Sequence, residues 1–124
     1  MSIAVLEEIE SALSTIPNME KREHEKVFTV KKPVWEVLYA GRDRHTRRGK
    51  AWLDRYNVVV WGGPNHVPNA TRVLVLAVDA VCESLLPIQT ITVGGADTGV
   101  EIPGVSELKF TMALIPVAEA GLVA

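Results

Sequence analysis

Asp97-Thr98-Gly99 has the spelling of an aspartic-protease catalytic turn, in which two such carboxylates share a proton across the scissile bond. Small homodimeric proteases of that kind have about this chain length, yet the surroundings argue against the chemistry. The protease turn follows directly on a hydrophobic strand and precedes most of a β-domain, whereas here Gly94-Gly95-Ala96 leads in and 25 residues follow. An Asp-Gly-type turn is the reading these residues support. Gly94 and Gly99 have the spacing of the outer glycines of a phosphate loop, but Val100-Glu101 stands where Lys and Ser/Thr would bind phosphate and magnesium. His24, His45 and His66 form no ligand-spaced pair, and Cys82, the single cysteine, falls on the apolar side of a helical pattern. No catalytic residue, metal or cofactor is expected. Asn69-Ala70-Thr71 is a glycosylation sequon in form, and the N-terminus shows glutamates in place of the basic start and apolar run of a secretory signal.

Two clusters remain that could do binding chemistry. Arg42, Arg44, Arg47, Arg48 and Lys50, with His45, concentrate positive charge in a stretch without apolar side chains. They suit nucleic-acid phosphates or an acidic protein ring; the alternative is a solvated loop whose like charges repel. Trp35, Trp52 and Trp61 could stack bases, or could anchor a core or an interface from strand positions beside valines. The contact residues expected for a partner are Arg42, Arg44, Arg47, Arg48, Lys50, Trp52 and Trp61.

The elements that must carry these clusters follow from periodicity. Ser2 can cap an amphipathic helix over 2–16, with Ile3, Leu6, Ile9, Leu13 and Ile16 on one stripe and Pro17-Asn18 ending it. Residues 18–25 are mostly charged and predict a linker. Residues 27–30 and 34–39 have strand character, 41–50 predicts a loop, and 52–61 resumes the strand, giving a long hairpin with a basic tip. Gly62-Gly63-Pro64-Asn65 is turn chemistry and should stop it. Asn69 is placed to cap a second helix running to about Leu86. That helix has a narrow polar strip of Arg72, Asp79 and Glu83 and a wide apolar arc, which predicts cover on more than one side and a solubility cost for either Leu76→Asp or Leu85→Asp. Residues 88–93 predict a strand, and 107–115 another, with Leu108, Phe110, Met112 and Leu114 alternating against Glu107, Lys109, Thr111 and Ala113. From Pro116 the chain reads as a tail.

Length and composition fit this layout. The 124 residues suit one domain over 1–124, and 48% hydrophobic with 23% charged residues is ordinary globular material. No apolar run approaches the roughly 20 residues of a bilayer span, so no membrane partner is expected and the chain should be cytosolic at synthesis. Net charge is 13 − 15 = −2, but residues 20–56 carry 11 − 6 = +5 and the remainder 2 − 9 = −7. A dipolar chain of this kind suits a complementary protein surface better than general nucleic-acid binding. The expected fold class is α+β: a mainly antiparallel sheet with a long hairpin, packed against an N-terminal helix and a central helix.

With helix over 2–16, hairpin over 27–60, helix over 70–86 and final strands over 90–117, the chain resembles the tail terminator (tail completion) proteins of long-tailed bacteriophages. The resemblance covers nearly the whole chain and is one of architecture, without a diagnostic motif. It implies a non-enzymatic virion protein, present in the host cytoplasm during assembly, that forms a homo-oligomeric ring, hexameric in the family. Such a ring caps the tail tube protein, ends tail growth and joins the tail to the head-tail connector or stopper protein, and DNA passes through it without specific binding. Alternatives are another phage neck or head-tail connector protein, and a small nucleic-acid-binding accessory protein using the basic loop 41–50.

Overall fold

The stripe of Ile9 and Leu13 winds the N-terminal segment into helix α1 (Ser2–Ser14), and those two side chains are fully buried together with Ile16 just beyond it. The helix stops before Pro17 because a residue preceding proline is driven out of helical geometry. Its last carbonyls are taken up locally, by Thr15 and Ile16 amides reaching back three residues and by the Ser14 and Thr15 hydroxyls. A computed structural model describes residues 2–22, 32–44, 52–64, 69–98 and 110–120. The other elements are strands β1 (Glu20–Lys21), β2 (Val34–Arg44) and β3 (Trp52–Pro64), helix α2 (Ala70–Leu85), and strands β4 (Ile91–Val93), β5 (Asp97–Thr98) and β6 (Phe110–Glu119). They form an α+β fold in which a long β2–β3 hairpin leads an otherwise mainly antiparallel sheet. The sheet order is β1-β2-β3-β6-β4, with β5 also on β6, and among the described residues the one parallel pairing is β1 on β2.

Strand alternation sorts the sheet into two apolar faces. Trp35, Tyr56, Val58, Val60, Ala113, Ile115 and Val117 face the helices and pack with Ile9 and Leu13 of α1 and Leu74, Ala77, Val81 and Leu85 of α2. Val59, Trp61 and Met112 lie buried on the opposite face with Val34, Leu38 and Leu114 around them. For β6 this revises the sequence expectation. Met112 and Leu114 do share a face, but Ala113, on the row read as polar, belongs to the helix-facing core.

Several boundaries also differ from the expected ones, each because a pairing partner overrides a local signal. Glu20–Lys21, inside the expected linker, hydrogen-bonds along β2. β2 continues to Arg44, so residues 41–44 of the predicted loop 41–50 are strand and the rest lie outside the described residues, and β3 runs past Gly62 to Pro64 through a bulge between Trp61 and Gly63. Asp97-Thr98 is a short strand on β6. β6 itself runs through Pro116 to Glu119. In a strand the N–H and C=O of one residue point to the same side. Pro116 presents its carbonyl to the Gly94 amide at 2.8 Å, just past the end of β4, so its missing N–H falls where no ladder bond is needed. Asn69 occupies the position before α2 but makes no side-chain capping bond. The strands expected over 27–30 and at 107–109 lie outside the described residues.

Candidate interaction surface

A bulge builds the main candidate surface. Tyr39 of β2 pairs with Tyr56 of β3, and Gly41 pairs with the very next residue, Arg55, so two β2 residues stand against one on β3. Gly41 adopts φ +119°, a backbone conformation that favours glycine. The extra residue flips the strand's parity. Arg42, which strict alternation would send to the opposite face, comes round beside Tyr39 on the helix-facing side.

There it meets Asp54, only 3% exposed. The Arg42 Nε donates to Asp54 Oδ1 at 2.7 Å and its Nη2 to Oδ2 at 3.2 Å, while the Tyr39 hydroxyl donates to the same Oδ1 at 2.7 Å. A two-pronged arginine–carboxylate pair is the strong, directional kind of ion pair. Tyr39 also packs edge-on against Tyr56, with ring centroids 5.7 Å apart. Alternation along β3 puts Trp52 on this face too, beyond Asp54 and opposite Arg44. Helix cover runs out along the hairpin, for Tyr56 is buried while Tyr39 is 58% and Trp52 50% exposed. The result is an outward row of tyrosine, arginine and tryptophan, with the arginine pinned at its base.

The Asp54 carboxylate raises the Tyr39 pKa above its ordinary value, chiefly through the hydrogen bond, then through burial and charge repulsion, and holds the Arg42 guanidinium more firmly protonated. A tyrosine pKa raised by folding contributes stability that is complete below the unfolded-state value of about 10 and is lost as pH rises through the folded value. Thermal melts from neutral to strongly alkaline pH are expected to show Tyr39→Phe less stable than wild type near neutrality and less sensitive to alkali. Parallel curves for the two proteins would mean that the hydroxyl is not held by Asp54.

The second surface is the outward side of α2. Arg72, Val75, Leu76, Asp79, Glu83 and Leu86 all point away from the core, with Val75 60%, Leu76 62% and Leu86 71% exposed. The helix expected to be covered on several sides therefore packs within the chain along Ala70, Leu74, Ala77, Val81 and Leu85, and leaves these aliphatic side chains flanking its charged strip.

The expected contact residues fare unequally. Arg42 lies on the hairpin but is committed to Asp54, so it serves as a fixed donor and not as a mobile charge. Trp52 is exposed as a contact residue would be. Trp61 is buried on the face opposite α1 and α2, under the Arg22 guanidinium, whose carbon lies 4.9 Å from the ring centroid while Nη1 reaches Glu36 at 3.1 Å. It is a core anchor in this fold, not an outward contact. Trp35 is likewise buried. Arg44 ends β2, and Arg47, Arg48, Lys50 and His45 lie outside the described residues, as do His24 and His66. Tyr39 and Asp54 were missed in the sequence reading; the available signal was the alternation Trp52, Asp54, Tyr56, which places a lone acid in a row of aromatics.

Burial, with a smaller push from Asp79, raises the Cys82 pKa, so the thiol is disfavoured as a thiolate, in keeping with a packing role. Among the described residues no three His, Cys, Asp or Glu side chains gather as metal ligands, and no helix is long and apolar enough to cross a membrane. No protein-family model matches this chain, and a search of curated proteins gave no match.

Proposed function

We propose that this chain is a structural subunit that closes into a ring with copies of itself at the top of a phage tail tube, ends tail growth there and offers a face to the head-tail connector. The observation that carries the reading is the outward face of α2. Single exposed aliphatics are ordinary on any surface. Val75, Leu76 and Leu86 share one helix face, at 60–71% exposure, and burying each fully would contribute roughly 1.5–3 kcal/mol. Such a face supports a subunit contact. The order of helix, long hairpin, central helix and closing strands supports the likeness to tail terminators. Light scattering after size exclusion, with negative-stain imaging, is expected to give a ring, six subunits by the family likeness. A single copy in the assembled particle, or a two-fold dimer under every condition, would defeat the proposal.

A second reading, a nucleic-acid-binding accessory protein, is favoured by half-exposed Trp52 opposite Arg44 on a hairpin rich in arginine. The −7 charge outside residues 20–56 ranks it lower, because it would repel a duplex lying across the rest of the chain. Neutralising Arg44, Arg47 and Arg48 together is expected to weaken docking to purified tail or connector rings in a salt-sensitive way and to leave the melting curve unchanged. Tight duplex binding by the wild type that persists near physiological salt would reverse the ranking.

A further inference from the structure

We infer that the two exposed surfaces are the two halves of one contact: the Tyr39–Arg42–Trp52 face of the hairpin docks on the Val75–Leu76–Leu86 face of α2 in a second copy of the chain. The inference rests on the ring reading and names the contact that would close it.

Chemistry matches the halves to each other. Tyrosine, tryptophan and arginine are the residue types that dominate interface energetics when held in place. Here the bidentate Asp54 pair fixes Arg42, and the Asp54 hydrogen bond with the edge-on Tyr56 ring fixes Tyr39, so little side-chain freedom is left to lose on docking. The α2 face offers what such a row would cover: aliphatic side chains on either side of Asp79 and Glu83. Charge points the same way. The described hairpin residues 39–44 and 52–55 carry three Arg against two Asp, 3 − 2 = +1, whereas residues 70–86 carry one Arg against two acids, 1 − 2 = −1. A net-positive aromatic hairpin and a net-negative aliphatic α2 face are complementary in sign.

In the ring reading the two patches meet head to tail, the hairpin of each copy on α2 of the next, so an open chain of copies keeps one hairpin and one α2 face free at its ends. Repetition closes a ring where the rotation permits it.

A mixing experiment tests this. Trp52→Glu disables the hairpin half and Leu76→Asp the helical half; both side chains are at least half exposed, and circular dichroism melts verify that each variant folds. Trp52→Ala serves as a milder second variant. Mass photometry and analytical ultracentrifugation, from micromolar to millimolar protein, are expected to show rings for wild type and monomers for each variant alone, with self-association weakened at least about tenfold for Trp52→Ala. An equimolar mixture of Trp52→Glu with Leu76→Asp should form a dimer and stop there, because one intact hairpin and one intact α2 face meet and only disabled faces remain. Wild-type rings together with variants that also form rings would overturn the contact and leave the ring reading standing. Monomeric variants that stay monomeric on mixing would equally overturn it, since two faces would matter without meeting. A wild type monomeric across the whole range would overturn the ring reading, and the contact with it.

Discussion

Leu85→Asp is expected to leave no cooperatively folded protein at room temperature, whereas Leu76→Asp, on the same helix, should melt cooperatively and close to the unassembled wild type. Nine residues at about 100° each come to two and a half turns, so the two leucines face opposite ways. Leu85 is 0% exposed, at the meeting of α2 with the sheet and α1, and Leu76 is 62% exposed. An aspartate at 85 loses the buried aliphatic contacts and places a carboxylate among apolar side chains. Together these cost on the order of 5 kcal/mol, comparable with the whole stability of a domain this size. At position 76 the carboxylate stays in water and joins Asp79 and Glu83, a change worth a few tenths of a kcal/mol. Thermal and urea unfolding of both variants measure the contrast. The expectation that both substitutions act alike is corrected here: only Leu85 belongs to the core, and the effect of Leu76→Asp should appear in assembly. A folded Leu85→Asp with near-wild-type melting would mean that α2 packs through another face.

Gly62→Val should be the most damaging small-to-large substitution in the sheet. Gly62 sits in the bulge of β3 where the strand passes under α2, and a Cβ there would fall 2.7 Å from the Leu74 Cβ and 2.8 Å from its backbone N and Cα. A flexible side chain could step aside; helix backbone cannot. Relief would require lifting α2 away from the strand and opening the core around Leu74, Ala77 and Val60. Overpacking of this kind costs about 3 kcal/mol, and even Gly62→Ala should cost about 1–2 kcal/mol. The midpoint of urea unfolding reports it. A Gly62→Ala protein as stable as wild type would show that helix and strand are less tightly apposed than these distances require.

Much of the fold could be read from the sequence because it is written in local periodicity. The α1 stripe of Ile9 and Leu13, the strand character of 34–39 and 52–61, the helix over 70–85 and the α+β class all follow from which residues recur at helical or strand spacing. Charge segregation, the loss of Lys and Ser/Thr beside Gly99 and the scattered histidines are likewise plain in the chain. What could not be read there depends on partners distant in sequence. Gly62 and Pro116 carry turn signals, yet they sit inside strands, because a bulge absorbs one and the end of β4 leaves the other's missing N–H unneeded. Asp97-Thr98 resembles a turn until β6 supplies a neighbour to pair with. The bulge after Tyr39 had the largest consequence for the candidate surface: a single extra residue turns Arg42 to the other face, onto Asp54, and converts a presumed free charge into a fixed donor between Tyr39 and Trp52. Periodicity shows that α2 has apolar residues nearly all round, but only the packing of one face against the sheet and α1 distinguishes the buried Leu85 from the outward Leu76. A side chain's spacing states which neighbours share its face; whether that face meets protein or water is set by where the rest of the chain lies.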